Sequence, residues 1–149
     1  MTVRWRLAIA ILIGAGCMAQ EAAPGVVEAV APAYPVPALD GRVSGGVVAE
    51  VHVSERGTVS SAAIVDGNPL LRQACLEAAR LWRFAAQPGA HDVKLVFSFR
   101  LMPKNTPEAQ LGTIFRPPYA VEVRRITPEP VSRYARSPDG RPEYGRPPG

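Results

Sequence analysis

NPLLRQACLEAARLWRF, residues 68–84, reads as one amphipathic helix closed by an aromatic pair. Leu71, Ala74, Cys75, Ala78, Leu81 and Trp82 recur at helical spacing and share one face. Asn68 suits the N-cap, and Pro69 suits the first helical position, where its missing N–H is not needed. Gln87-Pro88-Gly89 then turns the chain into VKLVFSFRL, Val93 to Leu101. That segment alternates, with Val93, Leu95, Phe97, Phe99 and Leu101 on one side and Lys94, Val96, Ser98 and Arg100 on the other.

Upstream, Gly45-Gly46 precede a strand, Val47 to Ser54, whose core face is Val47, Ala49, Val51 and Val53. Glu55-Arg56-Gly57 is a short hairpin connection, and Thr58 to Val65 is a second strand. Its alternation slips around Ser60 to Ala63, the signature of a bulge. Tyr34-Pro35-Val36-Pro37 opens this unit in an extended or turn conformation. The order strand, strand, helix, strand predicts an α+β two-layer domain over residues 33–102, a three-stranded antiparallel sheet (β-β-α-β) with one helix on its apolar face.

The N-terminal 19 residues read as an export signal, with Arg4 and Arg6 ahead of an apolar run from Leu7. The apolar stretch to Ala19 is about 13 residues, short of the roughly 20 a spanning helix needs. Cleavage after Ala19, lipid attachment at Cys17 and an uncleaved anchor stay open as alternatives, because Gly14-Ala15-Gly16-Cys17 resembles a lipobox without its large aliphatic residue. Any membrane contact is expected through that signal or lipid anchor alone. Residues 20–32 form a short leader. After Met102 prolines recur, so residues 103–149 are expected to be a largely disordered tail. One island, Tyr119 to Ile126, has period two between prolines and can form a short strand.

The net charge of +4 lies mostly in arginines scattered among prolines and glutamates after residue 102. That pattern suits a solvated tail, and no nucleic-acid site is expected. His52 and His91 are the only histidines, and no spacing suggests a metal site. No nucleophile elbow, phosphate loop or dinucleotide fingerprint is present. No catalysis and no cofactor are therefore expected. Cys75, on the apolar helix face, reads as a small hydrophobe. What remains is an open sheet edge, whose unpaired N–H and C=O groups can accept a strand from a partner.

Tyr34-Pro35, the Gly46-Val-Val strand, Gly57-x-Val59, Gly67-Asn-Pro-Leu-Leu71, Ala74 with Ala78-Ala79, and Trp82-Arg-Phe84 together resemble the TonB C-terminal domain. In this resemblance Leu71, Ala78, Trp82 and Phe84 are the core signature. It implies a periplasmic module whose last strand pairs with a segment of an outer-membrane transporter. The docking strand would be Val93, Lys94, Leu95, Val96, Phe97, Ser98, Phe99, Arg100 and Leu101, with Tyr34 and Pro35 in the entry segment. The usual basic residue, Pro and Ala after the signature are replaced by Ala85-Ala86, with Pro88 displaced. The Ser and His of an energy transducer's membrane anchor are missing from Leu7–Ala19, and the leader is too short to cross the periplasm, so the resemblance carries the docking role over and leaves force transmission open. Two readings stay open: a transport accessory that binds envelope proteins by strand addition, or a stand-alone structural or assembly module. In the second, the edge is covered by self-pairing as a homodimer or by the chain's own tail, with Ala120 to Arg124 the candidate strand.

Overall fold

The computed structural model describes residues 23–130, which leaves the predicted signal with Cys17 and the arginine- and proline-rich end outside the described residues. The elements in chain order are β1 (Val26–Glu28), α1 (Val36–Asp40), β2 (Gly45–Val53), β3 (Val59–Gly67), α2 (Pro69–Leu81), β4 (Arg83–Phe84), β5 (His91–Met102), a 3-10 turn (Glu108–Gln110), β6 (Gly112–Arg116) and β7 (Ala120–Ile126). The class is α+β, but the sheet is larger than expected. Five strands lie in the order β3-β2-β5-β7-β6, and β1 pairs separately with β4. The antiparallel trio β3-β2-β5 is the part foreseen, and two further strands extend it on the β5 side.

Helix α2 forms where its caps predict. The Asn68 side chain accepts a hydrogen bond from Leu70 N–H at 2.9 Å, and Pro69 occupies the first turn. Its buried face is Leu71, Cys75, Ala78 and Ala79, continued by Trp82 beyond the C-terminus. Leu81, expected on this face, is 61% exposed, and Ala79 takes the inward position instead. The reason is phase: Leu71, Cys75, Ala78, Ala79 and Trp82 stand at i, i+4, i+7, i+8 and i+11, and Leu81 falls a full residue off that line.

The sheet face under α2 is built by alternation. Val47, Ala49, Val51 and Val53 of β2 and Val93, Leu95, Phe97 and Phe99 of β5 are buried, joined by Val121 and Val123 of β7. The β2–β3 register shifts twice, leaving Ser60 and Val65 without a cross-strand partner, so the expected slip is two single-residue bulges flanking Ser61–Ile64. Gly57 closes the β2–β3 connection at φ +81, where a Cβ would lie 1.9 Å from the Phe84 carbonyl oxygen. That close approach carries the Phe84 N–H to Gly57 C=O bond, 2.8 Å, which ties the signature to the hairpin.

Three segments depart from expectation. The leader is not an unstructured approach: β1 pairs with β4, and Ala85 N–H donates to the Gly25 carbonyl at 2.7 Å. Where an extended or turn conformation was expected over Tyr34–Pro37, Pro35 is extended and the short helix α1 begins at Val36, because Pro at the first helical positions needs no N–H. The segment after Met102, rich in proline, forms β6 in addition to the strand anticipated at Tyr119–Ile126, which is β7, since Val121 and Val123 find an apolar sheet edge to complete.

Candidate functional site

β5 is the strand to which the docking role was assigned, and its twelve residues hold both faces. Val93, Leu95, Phe97 and Phe99 point into the core, with Leu101 half-buried at the end. Lys94, Val96 and Arg100 are exposed on the opposite face, and Ser98 is half-buried there. The side chains therefore lie where alternation puts them. The edge does not: β5 sits inside the sheet, with β2 antiparallel on one side and β7 parallel on the other. β7 is in register from Val96↔Ala120 to Met102↔Ile126 and β2 from Phe99 back to His91, so among the described residues the beginning of β5 lacks a neighbour on the β7 side and its last three residues lack one on the β2 side. Sequence periodicity shows which face a residue takes, not which strand lies beside it.

The remaining assigned residues divide between core and surface. Tyr34 is buried, its hydroxyl donating to the Val43 carbonyl and its ring edge-on to Phe99 at 5.0 Å. An entry-segment contact would therefore have to come from its neighbours, of which Val36 is 65% exposed. Leu71, Ala78, Trp82 and Phe84 are all buried. Trp82 Nε1 donates to the Val30 carbonyl at 2.8 Å, which brings the leader under the helix end. The Trp82 ring lies 6.0 Å from Phe84, 6.2 Å from Phe97 and 6.1 Å from Phe115, so β4, β5 and β6 meet on it.

Glu122, which sequence reasoning passed over, is 4% exposed in the middle of β7. Arg124 Nε donates to its Oε1 at 2.6 Å, and Arg116 Nε donates to Oε2 at 2.9 Å. Arg100 of β5 stands 3.4 Å away. One carboxylate thus holds cations from three neighbouring strands, β5, β6 and β7. The hydrogen bond from Arg124 keeps its carboxyl below the ordinary value near 4.5, burial pulls the other way, and Arg116 reinforces Arg124. The only sequence signal was a glutamate within three residues of paired arginines, a pattern equally common on solvated strands.

The histidines do not converge. His52 Nδ1 and Asp92 Oδ1 are 2.7 Å apart on the exposed face, while His91 Nε2 is buried without a hydrogen-bond partner among the described residues. Burial pushes the Cys75 thiol up to about 12, so at neutral pH it is protonated and packs as an apolar group.

A search of curated proteins finds no match. A family model does match, over residues 30–101, described as the Gram-negative bacterial TonB protein C-terminal. The matched span begins at Val30, whose carbonyl receives the Trp82 indole, and ends within β5. It contains the antiparallel trio and α2, and leaves β6 and β7 as additions beyond it. Residues 30–101 are thus a domain of the TonB C-terminal family.

Proposed function

We propose that this chain is an exported periplasmic docking protein that serves TonB-dependent transport, holding extended segments of outer-membrane transporters or other envelope proteins by strand addition to β5. The observation that carries the reading is that the β5 edge accepts a parallel strand, here the chain's own β7, through regular main-chain pairing over Val96–Met102. A partner that uses those same residues must take the place of β7. Its apparent affinity is then lowered by the fraction of molecules in which β7 has left. The partner supplies the chemistry of an extended backbone, and no catalytic group or cofactor takes part. Export rests on the signal at residues 1–19, and intact-mass measurement from the membrane fraction distinguishes a lipid on Cys17 from cleavage after Ala19.

The test is titration of the isotopically labelled chain with peptides from transporter N-termini, read by NMR shifts and amide exchange. Shifts along β5, with loss of protection in β7, are the expected result. Intact β7 protection and no shift along β5 would overturn it.

A second reading is favoured by one observation. Glu122 ties β7 to Arg100 and Arg116 as well as to the β5 ladder, which suits a permanent cap on a stand-alone structural module. The same titration separates the two, because a permanent cap stays protected at every peptide concentration.

A further inference from the structure

β7 covers Val96–Met102, and β5 begins five residues earlier, at His91. The direction of the uncovered groups follows from the ladder. Val96 N–H donates to the Tyr119 carbonyl, and Thr127 N–H donates to the Met102 carbonyl, both at 2.9 Å. Even-numbered residues of β5 therefore turn their main-chain groups toward β7, and odd-numbered residues turn theirs toward β2. Asp92 and Lys94 share the even parity and lie before the first paired residue. Their N–H and C=O groups face a side where no strand stands among the described residues.

That side is a notch and not a flat edge. A cavity of about 450 Å³ opens there, bounded by Lys94, His91, Tyr119 and the Ala23–Pro24 segment. Tyr119 is fixed at one end by its hydroxyl bond to the Pro24 carbonyl, 2.8 Å. His91 lines the same notch, and its buried Nε2 has no partner among the described residues. Unpaired strand groups on one wall, a pinned aromatic at the end and an orphaned ring nitrogen together suit an extended polypeptide of four or five residues, about 17 Å at strand spacing.

We infer that the uncovered half of β5, His91–Leu95, is a landing site where an extended partner segment pairs first, with β7 still in place. This rests on the strand-addition reading above and gives it a starting point that requires no prior opening of the fold. The partner segment presents uncharged residues toward Pro24 and Tyr119. On the open face it presents a polar or acidic residue opposite Lys94, because Asp92 is already engaged by His52 at 2.7 Å.

The experiment uses the full labelled chain and the peptide acetyl-Thr-Val-Thr-Val-Thr-amide. Shifts and new exchange protection at Asp92 and Lys94, with β7 protection unchanged, are expected. Lys94→Pro removes a notch-facing N–H and leaves the β2 ladder its donors, so it should weaken binding about tenfold, whereas Lys94→Ala keeps the N–H and should bind as the parent does. Shifts confined to Val96–Met102 with release of β7 would overturn the landing site and leave strand addition standing. Asp92 and Lys94 amides already protected in the free chain would also overturn it. Silence along the whole of β5 would overturn both readings.

Discussion

Trp82 joins the leader, the helix end and the aromatic sheet face through one side chain that is 1% exposed. Truncating it leaves a large cavity and an unpaired Val30 carbonyl, so Trp82→Ala should cost about 3–5 kcal/mol and lower the thermal midpoint accordingly. A nearly unchanged midpoint would refute its central place. Gly57 is constrained differently: with φ +81 and a Cβ site 1.9 Å from the Phe84 oxygen, Gly57→Ala must break the bond that closes the hairpin on the signature. Cys75, fully buried and with its thiol pKa pushed up to about 12, should resist a thiol reagent at pH 8 until the chain unfolds. Rapid labelling of the native protein would contradict that packing. The face of each β5 side chain was legible because strand alternation fixes it within a few residues. Glu122 was not, because its burial depends on arginines from three strands that come together only in the sheet.

At the scale of elements, α2 and the trio β2, β3 and β5 could be read from periodicity, capping and turn residues, all of which act locally. β1, β4 and β6 could not. They are two to five residues long; β1 and β4 owe their conformation to each other across a long stretch of sequence, and β6 owes its own to pairing with β7. β7 was recognisable as a strand from its alternating valines, yet its position depended on a parallel pairing that no local pattern encodes. Val96→Pro tests that position. It removes the N–H donated to Tyr119 and spares the β2 ladder, so protection of Val121–Arg125 should fall while that of β2 holds. Equal loss in both strands would show that the substitution had disturbed the fold itself.

Across the whole molecule, the Glu122 cluster couples the β6–β7 hairpin to acidity. Its carboxyl is held below the ordinary value in the folded chain, first by Arg124. The stabilisation is present above the unfolded carboxylate pKa and is lost as pH falls through the lower folded value. Acid titration followed by amide exchange should therefore release β6 and β7 before β2 and β3, and Glu122→Gln should remove that difference in order. Simultaneous release in the parent chain would show that another group governs the acid transition.

The strand order also has a consequence in time. The slot beside β5 is filled not by the next segment of the chain but by β7, after β6 has been laid down one position further out. A polypeptide appears from its N-terminus, so the trio and α2 are complete while residues 103–130 are still to come. Each newly made molecule thus passes through an interval in which one edge of β5 stands unpaired, and the arrival of the β6–β7 hairpin ends it.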